Sequence, residues 1–324
     1  MKVPFIIGAD LSKRTVDFAT VTGQHIRVEN DVKGFEQLLL WLKVIKIDES
    51  LLIVMEHTGL YSYRLEEFLH HKGIAFTKVS GLAIKRSMGL IRGKNDKVDA
   101  GRIARYGLEK RDCLVVTQRG DAILKRLQLL HVTRDRLVKS RAALATAVKE
   151  YQQTMRLKSN DLVIQTQLRL IDSCNKQIKK LEEAIVLLIE SEKAIHNNYQ
   201  LLRSIKGVGK VLALAVIIKT GNFTLFSKAR KFACFCGTAP FENTSGTSIR
   251  GKTRVSHLAD KTMKTLLDLA AKSAIQHDKE LKEYYIRKTT SGKPKMSVIN
   301  VVRNKLIYRI FAVAKRQTPF INAA

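Results

Sequence analysis

The sequence predicts an α/β domain followed by an α-helical remainder, and three textures along the chain carry that prediction. Up to about residue 118, short apolar runs alternate with polar turns. From 119 to 198 there is no proline, and the one glycine, Gly120, stands at the very start. From 199 to 324 the chain is again apolar and helical in spacing but punctuated by glycine. At 324 residues the chain is long enough for two or three cores.

In the first region "PFIIGAD", "DFATV", "HIRV", "LLIVMEHTG" and "AFTKVS" read as strands. "GFEQLLLWLKVI" and "YRLEEFLHHKG" have helical spacing, the second with a glycine stop at Gly73. Three strands in succession, then strands alternating with helices, make an α/β domain with a mixed sheet over 1–118.

In the second region, apolar residues recur at heptad spacing at Ile164, Ile171, Ile178, Leu181, Ile185, Leu188 and Ile195. Leu130, Leu137, Leu144 and Tyr151 form a similar stripe upstream. "KSND" between the stripes supplies a turn, with Ser159 or Asn160 as the cap of the following helix. The pattern fits a helical hairpin packed within one chain and a coiled coil joining subunits equally well. In the third region, "LLRSIKGVGKVLALAVI" has the shape of a helix-hairpin-helix. Its turn glycines, Gly207 and Gly209, would let backbone N–H groups face a phosphate, with Lys206 and Lys210 adding charge. A plain tight turn between packed helices has the same pattern.

Lysine and arginine exceed aspartate and glutamate by 29, the electrostatic footprint of a nucleic-acid binder. The opening "MKVPFIIGADLSKR" has too short an apolar run for a signal peptide. The best candidate for a membrane span, "VLALAVII", is ended by Lys219 far short of roughly 18 apolar residues. A cytoplasmic protein is expected. Four cysteines lack C-x-x-C spacing and eight histidines are scattered, which argues against zinc. Cys234 and Cys236 alternate as in a strand or turn and read as small buried residues.

Against this positive charge, the carboxylates of "KNDKVDA" stand out. Asp96 and Asp99 are three apart at the start of a helical segment and share a face there, where the helix dipole favours negative charge. Asp10 closes the first strand and Glu56 closes another, so both reach the same rim of a sheet. Four converging carboxylates call for divalent magnesium or manganese, hard cations that prefer oxygen. Two such ions about 4 Å apart clamp the attacking and leaving oxygens of a phosphodiester displacement. The same four residues also fit ordinary helix-start and turn positions. On the catalytic reading, Lys94, Lys97 and Arg102 hold the nucleic acid while the acids hold metal against its backbone.

Here the sequence resembles a known family, the DEDD-type transposases and recombinases of insertion-sequence family 110, with its 1111 subgroup and the pilin-gene invertases. "IGADLSKRTVDFA", "EHTGLY" and "KNDKVDAGRIA" are similar to the N-terminal motifs of that family. "IKGVGKVLALAVI", "FACFCGTAPFENTSGTSIRGKTRVS" and "SGKPKMSVINVVRNKL" are similar to those of its C-terminal transposase domain. The resemblance implies a RuvC-like, ribonuclease H-related first domain (1–118), a helical hairpin or coiled coil (119–198) and a helical transposase domain (199–324). It implies Asp10, Glu56, Asp96 and Asp99 as metal ligands, and Ser245 of "NTSGTS" as a second catalytic element, with Ser248 a neighbour of the same type. A serine oxygen attacking a phosphodiester conserves the bond energy in a phosphoserine link, so a new strand displaces it without ATP. Arg250, Lys252 and Arg254 follow the serine; they suit a scissile phosphate or a solvated loop alike.

The resemblance further implies a noncoding guide RNA, DNA ends and target as partners, and a homo-oligomer in which serine and acids come from different subunits. The family pattern has a small residue where His57 stands and a threonine where Asn95 stands. Its basic-glycine-asparagine stretch is replaced by "SHLADKTMKTLL", with Asp260. Two rival readings are a junction-resolving nuclease using only the four acids and a non-catalytic DNA-binding protein.

Overall fold

The computed structural model describes residues 4–45, 50–89, 95–118, 120–245 and 249–321, without the side chains of 243–245 and 249–252. The chain forms two compact units, Met1–Arg119 and Gly120–Ala324.

The first unit is built from β1 (Phe5–Leu11), β2 (Thr15–Thr20), β3 (His25–Glu29), α1 (Val32–Val44), β4 (Leu51–Glu56), α2 (Tyr63–His71), β5 (Ala75–Val79), α3 (Gly81–Ser87) and α4 (Asp96–Glu109). Its strands and first two helices fall where the apolar runs place them. The sheet order is β3-β2-β1-β4-β5. Short turns make β1, β2 and β3 an antiparallel meander, whereas helical crossovers leave β4 parallel to β1 and β5 parallel to β4.

Period-two alternation divides the sheet into two faces. Ile7, Ala9, Ile53 and Met55 pack with Phe35 and Leu38 of α1 and Leu65 and Leu69 of α2. Ile6, Leu52 and Val54 turn the other way and meet Ile103 of α4 and Ile84 of α3. Gly8 lies between Ile6 and Asp10 on this second face, and α4 approaches it closely. A Cβ at position 8 would stand 2.1 Å from the Ala100 carbonyl oxygen and 2.3 Å from the Ala104 nitrogen. Both are backbone atoms, so only glycine permits this approach.

The second unit opens with α5 (Ala122–Thr154) and α6 (Leu162–Glu190). Arg134 donates to Glu182 at 2.7 Å and Arg141 to Asn175 at 2.9 Å, so the two run antiparallel as a hairpin within one chain. Asp161, rather than Ser159 or Asn160, caps α6, its Oδ1 accepting from the Val163 N–H at 2.8 Å. Its carboxylate sits one residue before the first helical position, where such a bond closes.

Then follow α7 (Lys193–Arg203), α8 (Lys210–Thr220), α9 (Ala229–Phe235), β6 (Pro240–Ser245), β7 (Ile249–Val255), α10 (Lys261–His277), α11 (Lys279–Thr290) and α12 (Lys295–Arg316). The stretch "VLALAVII" lies in α8, whose Leu212 to Ile217 are all buried. A helix apolar all round is a core helix here, and among the described residues no helix is long and apolar enough to cross a membrane.

Two elements of this unit differ from the sequence reading. The antiparallel pair β6 and β7 interrupts a region read as helical; its signal, "PFENTSGTSIRGKTRV", is too polar to alternate clearly. Cys234 and Cys236 belong to α9 and its C-cap, not a strand, and Cys236 is buried.

Replacing Gly8 by alanine forces α4 away from β1. The expected cost is about 1–3 kcal/mol, the usual range for overpacking, read as a lower urea midpoint.

Candidate active site

The face of the sheet under α4 changes character along its strands, from apolar at Ile6 and Val54 to acidic at its rim. Asp10 is the second residue from the end of β1, and Glu56 is the last of β4. The β1–β4 register ends with Ala9 opposite Met55, so Asp10 and Glu56 stand one step beyond it on neighbouring strands. Helix α4 brings the other two acids. Asn95 caps it, its Oδ1 accepting from the Lys97 N–H at 3.0 Å. Asp96 and Asp99 then fall in the first turn. Asparagine here does the capping work that a threonine also can.

All four carboxylates line one cavity of about 760 Å³, together with Asp17, Lys85 and Arg102. Their mutual effect appears in Asp10, whose pKa rises from 3.8 to about 6. Burial is the largest cause, followed by the charges of Asp99, Asp96, Glu56 and Asp17. Arginines offset part of the charge: Arg102 donates to Asp99 at 2.7 Å and Arg27 to Asp96 at 2.9 Å. Among the described residues no three acidic, histidine or cysteine side chains are arranged, as they stand, to hold a metal ion. The donor set nonetheless suits one: hard carboxylate oxygens around a half-buried acid whose pKa is raised by burial and by its acidic neighbours.

Several residues of this region are absent from the sequence reading. Asp17 is buried opposite Asp10 in the β1–β2 register, and Arg27 is opposite Asp17 in the β2–β3 register. Arg27 and His25 both bond to Asp17. The available signal was Asp17 itself, a charge between apolar neighbours in "TVDFAT". Gly81, the first residue of α3, is the backbone against which Glu56 rests; a Cβ there would stand 2.0 Å from Glu56 Oε1.

The remaining candidates are dispersed. Lys97 is exposed beside Asp96, and Arg102 is committed to Asp99. Lys94 and Ser248 lie outside the described residues, as do the side chains of Ser245, Arg250 and Lys252. By backbone, Ser245 ends β6 and pairs with Ile249 of β7, and Arg250 and Lys252 follow on β7. Arg254 is exposed on the same strand.

Between α7 and α8, Lys206, Gly209 and Lys210 are exposed. Gly207 has φ 91°, and a Cβ there would meet the Ala270 carbonyl oxygen at 2.6 Å. Its glycine is thus required by helix packing whatever else the turn does. Asp260 has a structural place too, capping α10 by accepting from the Met263 N–H at 2.9 Å and pairing with Lys219 at 2.7 Å.

The chain resembles known proteins over most of its length. Residues 7–155 match the family model of DEDD transposases of the IS110 type, and residues 199–286 match that of the "Transposase IS116/IS110/IS902 family". The pilin gene-inverting protein of Moraxella bovis is 27% identical over 329 residues, covering 97% of each chain. The transposase for insertion sequence element IS1111A of Coxiella burnetii is 28% identical over 209 residues, 57% of this chain and 56% of its own. The protein is, by class, a transposase, an enzyme of DNA recombination. The two models share one family, and the chain belongs to it: the IS110 family of transposases.

Because Asp10 binds its proton more tightly folded than unfolded, stability falls as pH rises from 3.8 to about 6. In metal-free buffer, Asp10→Asn is therefore expected to melt higher than the parent above that range and like it below. Thermal melts at the two ends check this.

Proposed function

We propose that the protein cuts and rejoins DNA strands through a covalent phosphoserine link at Ser245, assisted by divalent metal at Asp10, Glu56, Asp96 and Asp99. The observation that carries this reading is the gathering of four carboxylates from β1, β4 and α4 into one cavity of a strongly basic chain. Acids at that position would repel a polyanion unless a cation stood between them. Strand order β3-β2-β1-β4-β5, antiparallel and then parallel, supports a RuvC-like, ribonuclease H-related domain. Magnesium or manganese, when bound, polarises the phosphate and neutralises charge in its displacement.

The protein's own groups supply the rest. The Ser245 oxygen forms a bond to phosphorus as the strand's bridging P–O bond breaks, and the departing sugar oxygen takes up the proton. A hydroxyl of the incoming strand then displaces the serine, which regains a proton. Two transesterifications leave the number of phosphodiester bonds unchanged, so no ATP is needed. Exposed Lys97, Lys206, Lys210 and Arg254, with Lys94, Arg250 and Lys252, supply phosphate contacts, and Gly207 and Gly209 shape the turn between two of those lysines.

We assign the catalytic domain to 1–118, the hairpin at 119–198 to assembly as a coiled coil, and the serine and helix-hairpin-helix to 199–324. A homo-oligomer in which one subunit's serine meets another's acids, guided by a noncoding RNA, completes the reading. The family resemblance carries both of these elements. A reaction that inverts DNA is a variant of the same exchange, favoured by the full-length match to the Moraxella protein.

The test is incubation with element-end DNA, the flanking RNA and magnesium, scored for protein covalently attached to DNA. Ser245→Ala and Asp10→Asn are each expected to lower adduct formation at least about a thousandfold. Undiminished cleavage by Ser245→Ala would instead identify a nuclease using the acids alone.

A further inference from the structure

Asp17 is the most buried acid near the carboxylate cavity, its side chain 3% exposed. A charge so placed is kept only with partners, and it has two. His25 Nε2 lies 2.6 Å from its Oδ1, and Arg27 Nε donates to its two oxygens at 3.1 and 3.0 Å. Arg27 then reaches onward, donating from its terminal nitrogen to Asp96 Oδ2 at 2.9 Å, across 69 positions of sequence. The strand register sets these residues in a row, Asp10 opposite Asp17 and Asp17 opposite Arg27, on the face that α4 covers. One edge of the guanidinium is held by a buried carboxylate of the sheet. Its far end holds the first residue of α4.

We infer that Arg27, anchored on Asp17, is a positioning residue that orients Asp96 for divalent-cation binding. The inference rests on the metal reading above and adds a residue outside the four-acid set. It also separates two effects of opposite sign. As a nearby positive charge, Arg27 repels a cation, though weakly, since both it and Asp96 are half exposed and screened. As a fork that fixes a carboxylate's orientation, it promotes binding; loss of such outer contacts typically weakens metal affinity about 10- to 100-fold. Lysine keeps the charge, but its single ammonium cannot hold both carboxylates with the guanidinium's geometry.

Mn²⁺ titration followed by electron paramagnetic resonance distinguishes these effects in the full chain. Arg27→Lys and Arg27→Gln are both expected to weaken Mn²⁺ binding by about tenfold, with melts showing each variant folded. The half-exposed position of Arg27 makes lysine the safer variant for folding, and its result decides alone if glutamine fails to fold. Parental affinity in Arg27→Lys, or parental or tighter affinity in Arg27→Gln, overturns the inference. Asp10→Asn serves as the reference. Binding that Asp10→Asn abolishes and the Arg27 variants leave intact sinks only the role of Arg27. Absence of Mn²⁺ binding by the parent protein overturns the metal reading together with it.

Discussion

The backbone of α4 rests on Gly8 of β1, and the candidate site depends on that contact. It is a backbone-to-backbone approach at the acidic end of the sheet, with no room for a Cβ. Because Gly8 and Asp10 are two residues apart, they share a face, and the helix pressed against one delivers its first turn to the other. A helix standing off by a side chain would carry Asp96 and Asp99 away from Asp10. Gly81 does for Glu56 what Gly8 does for α4, letting backbone come up against the carboxylate. Two missing side chains thus shape the place where four charged ones meet.

The role of charge differs between the two units. The chain carries an excess of 29 positive charges, yet the cavity at the rim of the sheet gathers acids whose charges, with burial, raise the proton affinity of Asp10. Arg27 and Arg102 each hold one of them. These pairs are partly exposed, the kind that contributes little to stability. The buried Asp17 differs, since its carboxylate lies within the fold, accepts from Arg27 and so keeps that side chain in place. In the second unit several charges are structural instead: Asp260 and Asp161 cap helices, and within the helices buried Arg303 is paired with Asp268.

Much of the first unit was legible because its elements are short and each has a clear period. "FIIGADL" and "LLIVME" read as strands, and "DKVDAGRIA" read as a helix start with acids in its first turn. The helices α5 and α6 were legible in their heptads, though their pairing within one chain was not, nor the cap of α6, because Ser159, Asn160 and Asp161 all have the right chemistry and only backbone geometry chooses among them. The β6–β7 pair escaped notice because a polar hairpin has no apolar alternation to betray it. Asp17, His25 and Arg27 escaped for another reason. Their importance lies in register, and no local pattern states which residue of one strand faces which of the next.

The sequence by itself determined the order of strands in the first unit, the basic character, the family and which acids carry the motifs. Those properties reside in residue types and spacings along one dimension. Tertiary structure alone decided that the acids share one cavity, that Gly8 and Gly81 are what allow it, and that Arg27 ties sheet to helix. Such facts depend on distances between atoms far apart in the chain, which are settled only when the strands choose their register and the helix its seat.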